Sequence, residues 1–281
     1  MDRYAVIGHP VAHSRSPWIH AEFARSTGQA LTYGRIDAVA DAFAATVRSF
    51  FDQGGRGLNV TVPHKEAAFA LAAVHGREAQ VAGAVNTLSL TPDGTLRGDN
   101  TDGRGLVRDL TVNLHWPIAG RRVLLIGAGG AARGVLAPLL AEHPGALWVV
   151  NRTPARAHAL LEQAGAPAGL VAGGFDRLSG APPFDLLINA TSAGLSEVAP
   201  ALPETCVGPA SRCYDMLYGP GTTPFQRWAR GQGVREAPAQ GLGMLVEQAA
   251  ESFAIWRGVR PETAAVLAAL RRQLDAVSPS G

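Results

Sequence analysis

The sequence is poor in cysteine, in long apolar runs, in charge of one sign and in aromatics, and each shortage excludes something. Of its 281 residues only two are cysteine, Cys206 and Cys213. They form no CxxC pair and have no histidine cluster beside them at metal-ligand spacing, so no zinc site can be assembled locally and two reduced thiols are expected. No apolar run approaches the roughly 20 residues of a spanning helix, and Met1 to Gly8 lacks an apolar signal core, which argues against a membrane partner and for the cytoplasm. Charge of one sign is scarce as well. A formal net charge of +2, with scattered arginines, builds no basic stripe for nucleic acid. Aromatics make up 6% of the chain, yet 47% of it is apolar, which excludes disorder as the main theme.

What is present is length, glycine and rhythm. A chain of this size favours two domains with separate cores and a cleft between them. Short apolar runs alternate with helical patterns through Tyr4 to Gly8, Pro17 to Gly28, Leu31 to Asp37, Asp41 to Gln53 and Gly57 to Val60, the rhythm of βα units on a mostly parallel sheet. Ser16-Pro17 reads as an N-cap followed by a first-turn proline, and Gly28 as a C-terminal cap. Asp93-Gly94 between two strand-like runs predicts an edge hairpin. The pattern turns helical over Asp102 to Leu114, where the first boundary falls. A second series then brings strands near Val123 to Ile126, Leu147 to Val150, Leu186 to Asn189 and Cys213 to Met216, a doubly wound arrangement. Helices follow over Leu242 to Trp256 and Pro261 to Ala276. By pattern alone they could pack on either domain; a return to the first is expected. The fold class is therefore α/β, with a substrate domain over 1–108, a Rossmann dinucleotide-binding domain over 109–240 and C-terminal helices over 241–281.

The apolar run Val123 to Ile126 leads directly into Gly127-Ala128-Gly129-Gly130-Ala131-Ala132, a G-x-G-x-x-G/A match with a buried strand before it and an Ala/Leu-rich helix after it. Glycine there permits a tight turn and close approach of backbone N–H groups to a pyrophosphate, which also meets the positive end of a helix dipole. At the end of the next strand, where an acid would bind a free ribose diol, stand Asn151, Arg152 and Thr153, with Arg156 one turn on. A carboxylate would repel a 2′-phosphate, whereas a guanidinium binds it through paired charged hydrogen bonds, so NADP is expected over NAD.

Polar residues concentrate in His13-Ser14-Arg15-Ser16, Asn59-Val60-Thr61-Val62-Pro63-His64-Lys65, Ala84-Val85-Asn86-Thr87 and Gly98-Asp99-Asn100-Thr101-Asp102-Gly103. Further along stand Asn189-Ala190-Thr191-Ser192-Ala193-Gly194, Asp215-Met216-Leu217-Tyr218 and Gly241 to Gln248. In this order, across essentially the whole chain, they resemble the shikimate dehydrogenase family. The resemblance implies reversible reduction of 3-dehydroshikimate by NADPH. It implies Lys65 and Asp102 as the catalytic pair. Ser14 and Ser16, two apart before a helix, would hold the substrate carboxylate, as two hydroxyls at a helix start are able to. Asn59, Thr61, Asn86 and Gln248 would meet ring hydroxyls, and Tyr218 would lie beside nicotinamide and substrate. Thr191, Met216 and Gly241 would stand nearer the cofactor. An ammonium near the carbonyl oxygen can stabilise developing negative charge and supply a proton. A free lysine is a cation at neutral pH, so the proton is assigned to the pair rather than to one member.

Local departures are Ala21 after His20, and His64, read as a solvated side chain without a role. Gly103 to Gly105 and Gly241 to Gly243 are candidate hinges. Two other readings share the motifs: a quinate/shikimate dehydrogenase of broader specificity, and a catalytically silent NADP-binding relative. Ser16 and Arg152 favour shikimate and NADP over the first, and retention of both Lys65 and Asp102 argues against the second. The expected partners are a small-molecule substrate and NADP, with no metal, in a monomer or homodimer.

Overall fold

The computed structural model describes residues 1–165, 169–191 and 198–276. The first half runs β1 (Asp2–Gly8), α1 (Ser16–Thr27), β2 (Leu31–Asp37), α2 (Phe43–Asp52), β3 (Gly55–Val60), α3 (Lys65–Leu71), β4 (Val74–His75), α4 (Arg77–Ala82), β5 (Thr87–Leu90), β6 (Leu96–Asp99) and α5 (Asp102–Arg108). The second runs β7 (Arg122–Ile126), α6 (Gly130–Ala141), β8 (Ala146–Val150), α7 (Pro154–Gln163), β9 (Leu170–Gly173), β10 (Leu186–Asn189), β11 (Arg212–Asp215), α8 (Pro224–Gly231), β12 (Ala239–Gln240), α9 (Leu242–Arg257) and α10 (Ala264–Asp275).

The strands form two six-stranded sheets, ordered β2-β1-β3-β5-β6-β4 and β12-β11-β10-β7-β8-β9. Every pairing in the second is parallel, and its central strands are fully buried, Val123 to Ile126 and Leu186 to Asn189 carrying apolar side chains to both faces. That is the pattern of a parallel sheet covered by helices on each side. In the first sheet β1 pairs in parallel with β2 and β3, while β3-β5 and β5-β6 are antiparallel. The turn between β5 and β6 has Gly94 at φ +84°, a left-handed conformation that costs glycine little. The hairpin is one strand in from the edge, since the two-residue β4 flanks it.

Helix α9 joins the halves. On one side Val246, Ala250 and Phe253 pack with Ile19 and Phe23 of α1 and with Leu267 and Leu270 of α10, so the C-terminal helices return to the first sheet's flank. On the other side α9 lies against α5 so closely that a Cβ at Gly105 would stand 2.7 Å from that of Gln248. Gly103 is equally confined by Pro138 and Gly134 of α6. These glycines therefore serve close contact between helices. The helix predicted to continue to Leu114 instead widens into a π-helical turn over Asp109–Asn113.

Glu247 of α9 is fully buried and accepts from Arg260 Nη2 (2.6 Å), Thr263 Oγ1 (2.7 Å) and Asn113 Nδ2 (3.1 Å), with Arg108 Nε 3.2 Å away. Removing one partner of such a cluster strands the others in a medium that solvates charge poorly. Glu247→Ala is expected to cost about 3–5 kcal/mol in urea denaturation; a loss below about 1 kcal/mol would show that the cluster carries no such weight.

Candidate active site

Nine side chains of the sequence-predicted substrate and catalytic set, Ser14, Ser16, Asn59, Thr61, Lys65, Asn86, Asp102, Tyr218 and Gln248, line one cavity of about 500 Å³. They come from six stretches of chain, and the topology explains their convergence. Residues 14 and 16 follow β1, and 59 to 61 end the neighbouring parallel strand β3, so both reach the carboxyl edge of the sheet. Asn86 directly precedes the antiparallel β5 and so begins at that edge. Lys65 and Asp102 each open a helix, α3 and α5. Met216, Gly241 and Tyr218 close the cavity from the second sheet's side.

Lys65 Nζ donates to Asp102 Oδ2 at 2.6 Å, and Asn86 Nδ2 donates to Asp102 Oδ1 at 2.9 Å. The carboxylate suits the N-terminus of α5, while an ammonium at the N-terminus of α3 is opposed by the helix dipole and gains from the carboxylate opposite. Asn86 is fixed in turn: its Oδ1 accepts from the Thr101 N–H (2.9 Å) and the Thr87 hydroxyl (2.8 Å). Thr87, Thr101 and Ser252 share a buried knot of hydroxyls behind the cavity. The sequence reading gave these three no role. Thr87 and Thr101 stood inside quoted motifs, and Ser252 lies four residues after Gln248, one helical turn on along α9.

Elsewhere on the cavity wall Ser14 Oγ donates to Ser16 Oγ at 3.2 Å. The helix begins at Ser16 itself, whose N–H donates to Ser14 Oγ at 3.3 Å. The N-cap position is therefore Arg15, without a side-chain capping bond, and Ser16 is the first helical residue and not the predicted cap; the Gly28 cap is where it was expected, at φ +65°. His64 also departs from expectation. It is buried, stacks on Phe43 with ring centroids 4.6 Å apart, and its Nε2 meets Ala38 O at 2.6 Å, so it anchors the loop before Lys65 instead of lying in water.

The predicted cofactor residues lie at the carboxyl edge of the second sheet, around the point where β7 leads to β8 on one side while β10 lies on the other. Ligands of doubly wound sheets bind at such a switch point. Gly127 adopts φ +112°, and a Cβ there would come 3.1 Å from Ala190 O; only glycine suits both demands. Ala128 is half-buried, whereas Gly129, Gly130 and Ala131 are exposed where α6 begins. Thr191 follows β10 and donates to Asn189 Oδ1 at 2.7 Å; Ser192, Ala193 and Gly194 of that motif lie outside the described residues. Asn151 Nδ2 donates to Thr153 O, shaping the turn after β8. Arg152 and Arg156 are exposed there, with no ion pair among the described residues. Positive φ at the turn, an open helix N-terminus and two available guanidinia fit a pyrophosphate and a 2′-phosphate. Of this cofactor set, only Met216 and Gly241 also line the substrate cavity.

Behind the cavity His20 is buried, its ring stacked on Tyr33 at 4.2 Å and 7°. Burial lowers its pKa to about 3, with the Asn59 side chain opposing. The folded value lies below the ordinary 6.5, so the unfolded chain takes up the proton more readily. Its stabilising contribution is whole above pH 6.5 and is lost as pH falls toward 3, a swing with a ceiling of about 5 kcal/mol. His20→Gln is expected to flatten the acid limb of the stability profile over this window; an unchanged limb would place the acid sensitivity elsewhere.

Three family descriptions match in chain order: the shikimate dehydrogenase substrate binding domain over residues 6–88, shikimate/quinate 5-dehydrogenase over 111–204, and the shikimate 5′-dehydrogenase C-terminal domain over 241–271. The chain is 58% identical to the shikimate dehydrogenase (NADP(+)) of Alkalilimnicola ehrlichii, over 96% of this chain and 98% of that one. An Ael1 enzyme from Pseudomonas putida superposes with a TM-score of 0.91 at 46% identity, over 96% of this chain and 98% of that one. Shikimate 5-dehydrogenase from Thermus thermophilus, in complex with NADP(H) and shikimate, gives 0.84 at 37% identity, over 97% and 99%.

Proposed function

The chain belongs to the shikimate dehydrogenase family, and from that premise we propose how its residues carry out the family's reaction. The protein is an NADP-dependent oxidoreductase acting on a CH–OH group, interconverting shikimate and 3-dehydroshikimate. The observation that carries the residue assignment is that one cavity is lined both by the Lys65–Asp102 ion pair and by the Ser14–Ser16 pair. Two such polar pairs on one cavity suit a ring that carries both a carboxylate and a reactive hydroxyl or ketone.

In this reading Ser14 and Ser16 hold the carboxylate. Thr61, Asn86, Gln248 and Tyr218 meet the ring and its hydroxyls, where an unpaired buried polar atom is costly and selectivity is correspondingly sharp. Asn59 supports that wall. NADP, held by the loop Gly127, Ala128, Gly129, Gly130 and Ala131, by Asn151, Arg152, Thr153 and Arg156, and by Thr191, Met216 and Gly241, supplies or accepts the hydride. On reduction, negative charge develops on the ketone oxygen, the Lys65 ammonium stabilises it, and a proton passes from the Lys65–Asp102 pair to that oxygen. Oxidation reverses the transfer, the pair taking the hydroxyl proton. Because the two groups are hydrogen-bonded at 2.6 Å, the transfer is assigned to the pair and not to one member.

The proposal extends to the division of labour along the chain: a substrate domain over 1–108, a cofactor domain over 109–240 and C-terminal helices over 241–281 that complete the substrate wall through Gln248. It also includes a cytoplasmic setting, monomer or homodimer, without nucleic acid; the small net charge supports the last point. No helix among the described residues is long and apolar enough to cross a membrane. Initial rates at the reduced-nicotinamide absorbance band, with shikimate or quinate and NADP or NAD, test the activity. Turnover is expected to favour shikimate with NADP. Comparable quinate turnover would move the protein to the broader enzyme, and none with tight NADPH binding would make it a silent relative.

A further inference from the structure

Tyr33 stands on the edge strand β2 and does not line the substrate cavity. Its hydroxyl nevertheless donates to Asn59 Oδ1 at 2.7 Å. The other end of that carboxamide is fully used: Asn59 Nδ2 donates to Ser252 Oγ at 3.0 Å and to the main-chain oxygen of Asn86 at 3.2 Å. Turning the amide over would set Oδ1 against the Asn86 carbonyl, acceptor to acceptor, so a donor on the Tyr33 side and acceptors on the other fix a single orientation. The Ser16 side chain is the second polar neighbour of the same phenol, and Ser16 in turn accepts from Ser14. One phenol hydrogen goes to Asn59, which leaves the lone pairs of the oxygen facing Ser16.

The hydrogen bonds form two runs, Ser14 to Ser16 and Tyr33 through Asn59 to the backbone of Asn86, and the Ser16 side chain stands beside the phenol where they meet. Tyr33 itself is clamped. His20 stacks face to face on the Tyr33 ring, and Trp256 and Phe253 close on the same histidine with centroids 5.4 and 6.1 Å from it. Burial also pushes the Tyr33 phenol well above its ordinary pKa, so it remains a neutral donor throughout the pH range of an assay.

We propose that Tyr33 is a positioning residue for substrate selectivity, orienting the Ser16 hydroxyl and the Asn59 amide so that the cavity recognises a ring bearing a free carboxylate. The inference rests on the functional reading above and deepens it, because it assigns the origin of selectivity for the carboxylate to a residue outside the cavity. Removing the phenol oxygen leaves Asn59 Oδ1 buried without a donor and Ser16 without its inner partner, while Lys65, Asp102 and the cofactor residues keep every contact described for them.

The test is steady-state kinetics of Tyr33→Phe with shikimate and with shikimate methyl ester, alongside thermal unfolding of the same variant. The expected result is a KM for shikimate raised about tenfold, with kcat changed less than about threefold and the KM for NADP unmoved. The preference for shikimate over its ester should fall by about tenfold. In a cycle with Ser16→Ala the two effects should be less than additive. An unchanged preference overturns the inference. So does a variant that loses kcat equally on both substrates with a lowered unfolding temperature, since that is the signature of a merely structural tyrosine. Failure of the unsubstituted protein to oxidise shikimate at all would instead overturn the functional reading, and this one with it.

Discussion

Lys65→Ala is expected to lower kcat for shikimate oxidation by about 10²–10⁴-fold, with KM for shikimate and NADP changed by less than about threefold. The asymmetry follows from where the ammonium acts. Its charge matters most when the substrate oxygen carries partial negative charge, and interactions stronger in the transition state than in the ground state appear in kcat. The rest of the site holds without Lys65: Asn86 still donates to Asp102 Oδ1 and is still fixed by Thr87 and Thr101. Asp102→Asn should lose activity in the same range, because the amide retains the size but neither the charge facing Lys65 nor a base. The two losses together should fall well short of their product, as for groups that act as a unit. If Lys65→Ala raised KM tenfold and left kcat intact, the lysine would be a binding residue and the proton would have to come from elsewhere.

A second large effect is expected at the other pole of the reaction. Arg152→Ala should raise KM for NADP by about 10–100-fold and leave KM for NAD within about twofold, since a guanidinium–phosphate contact that is lost is worth roughly 1.5–3 kcal/mol and the diol of NAD never made it. Arg152 is exposed and without an ion pair among the described residues, so its removal should cost almost no stability. Adding Arg156→Ala should deepen the loss for NADP alone. Parallel weakening of both cofactors would mean that the arginines shape the loop after β8 and do not read the 2′-phosphate.

Most of the architecture was legible because the signals were local and strong. The buried run Val123 to Ile126 ending in glycines, the Asp93-Gly94 turn and the Gly28 cap each state their conformation within a few residues. The convergence of Ser14, Asn59, Lys65, Asn86, Asp102 and Gln248 in one cavity was legible only through motif order. No periodicity says that the loop between β1 and α1 and the middle of α9 will meet. Short edge strands escaped: β4 and β12 have two residues each, and β9 is a Gly- and Ala-bearing strand of four. The same holds for the π-helical turn at Asp109–Asn113, because the insertion of one residue into a helix leaves its apolar face nearly unchanged. His64 was misread as solvated since its burial depends on Phe43 and Ala38, more than twenty residues away. The close helix contact at Gly103 and Gly105 was likewise invisible in the sequence, since it depends on Pro138, Gly134 and Gln248. Tyr33 gave no signal at all: it is a tyrosine in an edge strand, and only the third dimension brings its hydroxyl to Asn59.

The central claim is an arrangement: carboxylate on the Ser14–Ser16 pair, reactive hydroxyl on the Lys65–Asp102 pair, nicotinamide entering past Met216 and Gly241. A crystal structure of the protein with shikimate and NADP bound tests it most directly. The account predicts the carboxylate within hydrogen-bond distance of both serine hydroxyls, the oxidisable hydroxyl within about 3 Å of Lys65 Nζ or Asp102, and the 2′-phosphate against Arg152. A ring bound in the reverse sense, with its carboxylate on Lys65, would contradict it.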